Sequence, residues 1–441
     1  MRQKYVAEAV TLSGLDNPNS VTQLSKWLQE ETGEEIADLK KATVTELLKQ
    51  DVSSDAARRM LEIRQELGKT SNKKYDALEV CECTDGRVRG LLQFYGANRT
   101  GRWAGRLVQV QNLPRTYIDA DLLPLARELV KARQTDALQV VFGSVPDTLS
   151  QLIRTAFVAS SGHTLVDADF SAIEARVIAW LAGEEWVLEV FRTHGKIYEA
   201  TASQLYGIPM EKIKKGNPEY ALRQYGKAAT LALGYQGGSQ ALITAGHLDK
   251  NTPEAELLDI RDRWRKSNPD IVQFWYTVDA ISKEAVNTGR PIELWGGRLV
   301  FARECDPRND MDFMTIRLPN GRKLYYPKPH MGVNRFGQPS LCYWGQNQTT
   351  KKWGVVETYG GKLVENITQA TARDCLTEAV ERLEVAGFPV VFHIHDEVVI
   401  DRPKGFPDLD KVVEIMFQPI PWAPGLPLNA DGWVNEFFKK D

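Results

Sequence analysis

The feature that most constrains this chain is a pair of short strand-like runs, far apart in sequence, each ending in a carboxylate. Residues 391–401 read VFHIHDEVVID, with His393, His395, Asp396 and Glu397 between β-branched runs. A tight hairpin with His395-Asp396-Glu397 at or near its turn accounts for that pattern, because the apolar residues on either side have the density of buried strands. The segment HTLVDADFSAIEARVIAWLAG (163–183) behaves differently. Its apolar spacing has the strand period up to about Asp169 and the helical period from Ser171 onward. Asp169 therefore sits where a strand hands over to a helix, with Asp167 two residues earlier on the same strand face. Such a carboxylate suits either a ligand or the N-terminus of the following helix. A chain holding both runs must bring strands together across long intervals, so a purely helical fold is excluded.

Between them lies RQYGKAATLALGYQGG (223–238). Arg223, Lys227, Leu231 and Tyr235 recur every four residues, an offset of only about 40° per step around a helix. An arginine fork and a lysine point charge one turn apart fit a row of phosphates, or form an exposed basic stripe. Two nucleotide signatures fail here. Ala228 follows Gly226-Lys227 and no glycine stands five residues earlier, so this is no Walker loop. Gly234, Gly237 and Gly238 do not follow a strand. At the hairpin tip the zinc pattern H-x-H-x-D-H does not fit, because nothing separates His395 from Asp396. Adjacent carboxylates suit an acidic turn or a hard cation such as Mg2+, completed by substrate phosphates. Two such carboxylates and a cationic helix meeting in one place would suit two-metal nucleotidyl transfer.

The remaining chain sets the frame. Its 441 residues allow two or three subdomains. No apolar run is long enough to cross a bilayer, and MRQKYVAEAV lacks the apolar core of a signal peptide, so no membrane partner is expected. Five cysteines at unrelated spacings indicate reduced thiols and a cytoplasmic setting; Cys81 and Cys83 have no second pair to complete a metal site. A net charge of −3 does not exclude nucleic acid, since a groove needs only local positive charge. The N-terminal region reads as helices. One is capped at NSVTQ, one has Thr43 and Glu46 at capping-box spacing, and one ends at Gly68. KTSNKKYD (69–76) reads as a linker or a phosphate-contacting loop. Strands are expected at LLQFYG and HTLVDADF, helices through 171–290, and a β-rich stretch over 292–365 with a hairpin around Asn320-Gly321. A helix from Thr368 then leads back to the opening segment. The fold class is α+β.

Taken in order, these segments resemble the polymerase region of family A DNA polymerases, the DNA polymerase I type, in its bacteriophage branch. DFSAIEAR (169–176) resembles the family's D-Y-S-Q-I-E-L-R. The fingers helix R-x3-K-x3-F/Y-G-x2-Y-G is similar to RQYGKAATLALGYQG, and V-H-D-E to IHDEV. The resemblance implies a right-hand architecture of thumb, palm with an antiparallel sheet, and helical fingers. It implies a thumb over 1–80, a first palm part over 81–185, fingers over 186–335 and a second palm part over 336–441, with no 3′–5′ exonuclease domain. Asp169 and Asp396, with the backbone carbonyl of Phe170, would hold two Mg2+ ions, or Mn2+ in their place, and Glu397 would lie close by. Arg223 and Lys227 would hold the triphosphate, with Lys227 protonating the leaving pyrophosphate. Glu174 would exclude a 2′-hydroxyl, Leu231 would stand by the sugar, and Tyr235 would guard the templating position. TGRWAGRLVQVQNLP resembles T-G-R-L-S-S-x4-L-Q-N-I-P, and ENITQATARD resembles N-x3-Q-G-T-A-A-D. Arg102, Gln111, Asn112, Gln369 and His395 would thus contact primer–template, and Lys73 and Lys74 the duplex phosphates. The implied activity is template-directed addition of deoxynucleotides to a primer 3′-hydroxyl in phage DNA replication, by a monomer in the host cytoplasm, with dNTPs and primer–template as partners.

Departures from the family pattern are Ala172 for Gln, Tyr198 for a phosphate-contacting His, Leu231 for an aromatic and Gln236 for a glycine. Asn366 stands three residues before Gln369 rather than four, and Asp167 has no assigned role. A single-subunit RNA polymerase, a metal-dependent nuclease on Asp169 and Asp396, and an inactive DNA-binding module are the alternatives. Glu174 disfavours the first, the cationic helix the second, and the presence of both aspartates the third.

Overall fold

The computed structural model describes residues 2–36, 38–50, 52–244, 248–308, 311–347 and 350–439. Contacts divide the chain into two compact units.

The first unit comprises Met1–Leu91, Gly105–Ala159 and Glu436–Asp441. Its opening helices, Arg2–Ser13, Val21–Thr32, Lys41–Lys49 and Asp55–Leu67, bury Leu24, Leu28, Val44, Met60 and Leu61 in one small core. Ser20 caps the second helix by accepting the N–H of Gln23, as expected. The capping box at Thr43 does not form. The helix starts at Lys41, and the Thr43 hydroxyl donates instead to Asp38 (2.5 Å), which also accepts the Lys40 N–H. Asp38 lies before the helix and reaches both donors, while Thr43 itself sits inside the first helical turn and not at the cap. Gly68 does end its helix, though in the right-handed conformation. KTSNKKYD is neither linker nor loop: a short 3-10 turn, Thr70–Asn72, runs directly into the helix Lys73–Cys81. Side chains hold this stretch in place. Asn72 donates to the Pro146 carbonyl (3.0 Å) and Tyr75 to that of Leu149 (2.8 Å).

The second unit comprises Leu92–Ala104 and Ser160–Asn435. The chain's strands are β1 (Leu92–Ala97), β2 (Arg102–Gly105), β3 (His163–Phe170), β4 (Ile292–Leu294), β5 (Leu299–Asp306), β6 (Met311–Arg317) and β7 (Lys323–Pro327). They continue with β8 (His330–Val333), β9 (Pro339–Gln346), β10 (Trp353–Thr358), β11 (Val390–Ile394), β12 (Glu397–Pro403) and β13 (Ala430–Asn435). The sheet that matters most runs β11-β12-β3-β13, antiparallel throughout. Its buried Val166, Ala168, Val398 and Ile400 join one core with Ile367, Ala370, Leu376 and Ala379 of the helix Gly360–Val385. That helix starts eight residues before Thr368, because Gly360 and Gly361 let it pack against backbone. A Cβ at Gly360 would lie 2.0 Å from the Trp275 carbonyl oxygen, and one at Gly361 2.6 Å from that of Tyr235.

Helices run from Ile173–Ala182 to Pro269–Thr288, as the periodicity predicts. The β-rich stretch then forms two further antiparallel sheets, β4-β5-β6-β7 and β10-β9-β8. The Asn320-Gly321 hairpin is present: Gly321 has φ +89°, and Leu318 donates to the Arg322 carbonyl at 2.7 Å. Arg322 fastens this hairpin to the long helix. It reaches Asp374 at 2.9 Å and the Ala370 carbonyl at 3.1 Å, while Arg373 also donates to Asp374. Burial pushes the Asp374 carboxyl upward, and the two guanidiniums act in the opposite sense. No helix among the described residues is long and apolar enough to cross a membrane.

Candidate active site

Strand pairing brings the two distant carboxylate segments together. Glu397 is the register partner of Asp169 across β12 and β3, and the Phe170 N–H donates to the Asp396 carbonyl at 3.1 Å. His395 and Asp396 form the two-residue turn between β11 and β12, with His395 at φ +53°, the left-handed conformation that a tight hairpin requires at its first central position. Asp169 does not cap the next helix. The strand continues through Phe170, and Ala172 (φ 51°, ψ 43°) turns the corner before Ile173. Buried Arg176 braces that corner. It donates to the carbonyls of Ser171 (2.6 Å) and Pro427 (2.8 Å) and stacks on Phe191, and burial lowers its pKa to about 10.

One carboxylate was not anticipated. Asp431 on β13 is the other register partner of Asp169, and Ser171 donates to it at 3.0 Å. Glu397, Asp169 and Asp431 thus form a cross-strand row, and directly paired residues share a sheet face. ADGW carries no recognisable signal; only the pairing of β13 with β3 reveals it. Asp167, two residues before Asp169, is buried opposite Val399 and Trp433.

The helix Leu222–Leu233 presents the cationic residues. Gly226, Ala228, Ala229 and Leu233 form its buried face, and a Cβ at Gly226 would lie 2.1 Å from the Tyr198 carbonyl oxygen, so the helix Ile197–Tyr206 packs backbone to backbone against it. Arg223 and Lys227 remain half-buried and Leu231 is exposed. Arg223 is held by Glu199 (2.8 Å) and lies over the Tyr198 ring at 5.1 Å. Tyr198 and Glu199 therefore position the guanidinium that sequence reasoning treated alone. Tyr235 lies just past the helix end. Gln236 adopts φ +63°, the conformation glycine takes at no cost, and its side-chain oxygen accepts the Gly361 N–H at 3.1 Å. That bond accounts for a glutamine where a glycine was expected.

Three of the expected site residues meet directly. Arg102 donates to Glu174 at 2.6 Å, and the Tyr235 hydroxyl donates to the other Glu174 oxygen at 2.7 Å. Burial, then the Glu174 charge, pushes the Tyr235 phenol far above its usual range, which keeps it a donor. Trp103 stacks edge-on with His393, whose pKa falls to about 4, first through burial and then through the Arg373 charge. Gln369 is half-buried on the long helix. Asn366 spends its amide on the Tyr326 hydroxyl (3.0 Å). In the other unit, Lys73 is exposed, whereas the Lys74 ammonium donates to the Val108 carbonyl at 2.5 Å and is turned inward. Asn112 there donates to Gln109, and a Cβ at Gly105 would strike the Gln111 amide.

The second unit thus carries a strand-end aspartate and a hairpin aspartate on adjacent strands of one antiparallel sheet, together with a cationic helix. Comparison with known proteins supplies the family. The sequence model of DNA polymerase family A matches residues 2–312, and the chain belongs to that family. It is 53% identical over 437 residues to the DNA polymerase of Bacillus phage SP02, an alignment covering 99% of this chain and 65% of that protein. It is 33% identical over 264 residues to the thermostable DNA polymerase I of Thermus thermophilus, covering 58% of this chain and 24% of the other. The chain thus spans less than two thirds of the length of these relatives. Its fold matches the POL domain of Pol1 from M. smegmatis, solved in complex with DNA primer-template and dNTP, with a TM-score of 0.61 and 16% identity, over 99% of this chain and 64% of that one.

Proposed function

We propose that this chain is the polymerase region of a template-directed DNA polymerase, with 1–80 as thumb, 81–185 and 336–441 as palm, and 186–335 as fingers. The observation that carries the reading is the pairing of β3 with β12, which brings Asp169 and Asp396 side by side. Their carboxylates and the carbonyl of Phe170 are hard oxygen donors suited to two Mg2+ ions whose shells substrate phosphates would complete. Bound there, the ions would lower the pKa of the primer 3′-hydroxyl and neutralise charge on the α-phosphate and on the departing pyrophosphate.

The chain's own residues then orient the reaction. Arg223 leaves Glu199 to fork onto the triphosphate, and Lys227 one turn later donates a proton to pyrophosphate as the Pα–O bond to it breaks and the bond to the primer oxygen forms. Glu174, fixed between Arg102 and Tyr235, would exclude a 2′-hydroxyl from the incoming nucleotide. That supports deoxynucleotides over ribonucleotides as substrates. Arg102 and Gln369 would contact the minor groove, where shape rather than sequence is checked. Phage DNA replication is the setting that the SP02 relative supports.

Primer extension on a defined template tests the reading. Extension should require Mg2+ and all dNTPs, and rNTPs should substitute poorly. Loss of template strand without synthesis would indicate a nuclease instead.

A further inference from the structure

Only one of the two cations on the helix Leu222–Leu233 is engaged. Arg223 donates through Nε to Glu199 at 2.8 Å, and their side chains keep 32% and 15% of their surface exposed. The guanidinium also lies over two rings, Tyr198 at 5.1 Å and Tyr220 at 6.0 Å. Lys227, one turn later, has no ion-pair partner among the described residues. The clasp is therefore particular to the arginine, the donor whose planar fork matches two phosphate oxygens at once. With Nε committed to a carboxylate, that fork has less to offer a phosphate, so a triphosphate and Glu199 compete for the same group.

Opening the clasp does not strand a charge. A buried pair stripped of one member is left with an uncompensated ion. Glu199 is placed differently, in the first turn of the helix Ile197–Tyr206, where the helix end favours an anion. It also lines a cleft of about 410 Å3 together with Lys196, Lys214, Lys215 and Tyr220, against one further carboxylate, Glu211. The three lysines are exposed and have no ion-pair partner among the described residues. The pair thus has two supported states: Arg223 on Glu199, or Arg223 on phosphate with Glu199 facing the lysine cleft.

We infer that Glu199 is a positioning residue that works as a latch. It holds Arg223 in the nucleotide-free protein, yields it to the triphosphate, and takes it back as pyrophosphate leaves. The inference rests on the polymerase reading, which supplies the triphosphate and the pyrophosphate. Any ligand that uses Arg223 binds in proportion to the unlatched fraction. The latch therefore loosens the hold on dNTP and on pyrophosphate alike, and its consequence is faster product release.

Calorimetric titration of the intact protein with Mg2+-dTTP and with Mg2+-pyrophosphate, without DNA, reads the latch apart from chemistry. Glu199→Gln keeps the size of the side chain and removes its charge. It should bind both ligands about two- to tenfold more tightly than wild type, the range expected for a partly exposed ion pair. Glu199→Ala should repeat the gain, so that one folded variant suffices. In an Arg223→Ala background, Glu199→Gln should change neither constant, because the latch then has nothing to hold. During primer extension the dNTP KM should fall, kcat should not rise, and pyrophosphate should inhibit at a correspondingly lower concentration. A glutamate that only braced the helix would not tighten either ligand. Weaker or unchanged binding in the folded variants overturns the latch, as does an equal gain when Arg223 is absent. If wild type extends no primer, the polymerase reading fails, while the calorimetric comparison still decides the latch.

Discussion

The β3–β12–β13 sheet and the β4–β10 region of the same unit are both antiparallel, yet they assemble their sites differently. In the first, backbone pairing does the placing: Glu397 faces Asp169 across the ladder and the Asp396 carbonyl accepts from the Phe170 N–H. In the second, side chains do it. Arg322 ties β7 to the long helix through Asp374, Tyr326 packs edge-on against Tyr343, and Lys328 lies over Trp344, beside a cavity lined by Tyr325, Trp344 and Trp353. Register is hard to alter because a one-residue slip turns every side chain to the other face. A side-chain attachment can be removed by one substitution. The sheet should therefore tolerate loss of its chemistry without loss of structure, and the β-rich region should not.

The largest effect expected follows from that contrast. Asp169→Asn or Asp396→Asn should lower incorporation by roughly a thousandfold or more, several kcal/mol of transition-state stabilisation, with duplex binding and melting temperature nearly unchanged. A comparable loss of duplex affinity would mean that these carboxylates organise the protein rather than the reaction. Next comes Arg322→Ala, which strands a buried Asp374 with Arg373 as its remaining partner. Breaking a buried pair costs about 3–5 kcal/mol, so amide exchange should rise over Lys323–Pro327 well before it rises over β3. Uniform exchange in both regions would erase the distinction. Lys227→Ala should slow incorporation by about a hundredfold while primer–template affinity stays within a few fold, in line with general acid catalysis.

The smallest effect concerns pH. Glu184 accepts the N–H groups of Asp270 and Ile271 at the start of the helix Pro269–Thr288, but burial outweighs those bonds and raises its pKa to about 7. The folded state therefore holds a proton that the unfolded state releases near pH 4.5. Stability from this group is complete below that pH and is lost as pH rises through about 7. Glu184→Gln should flatten the fall in melting temperature between pH 5 and pH 8, and an unchanged slope would assign the fall to another group.

Much of the β11-β12-β3-β13 sheet could be read in advance. HTLVDADF is a strand from His163 to Phe170, and the turn at His395-Asp396 falls where two β-branched runs leave room for it. Both are local patterns, set by alternation and by turn chemistry. Elsewhere the local pattern lost to a neighbour. Thr43 found Asp38 in place of its capping box, KTSNKKYD became helix because Asn72 and Tyr75 dock on Pro146 and Leu149, and the long helix began early because two glycines meet the backbone of Trp275 and Tyr235. Asp431 and Glu199 stayed invisible for the same reason, and Tyr198 was noticed only as a departure from the family pattern, not as the ring under Arg223. Each acts on a partner distant in sequence, and nothing in its own surroundings marks it.

Residue order alone determined the candidate site residues, most of the elements that carry them and the family to which the chain belongs, because periodicity, turns and motif spacing are short-range properties. Which carboxylate faces Asp169 from the far strand, which acid holds Arg223, and that three aromatic side chains from separate strands line one cavity beside Arg102 were decided only by tertiary structure. Those placements depend on strand register and on close packing between segments separated in sequence, by 24 residues for Glu199 and Arg223 and by more than two hundred for Asp169 and Glu397, and no local pattern encodes either one.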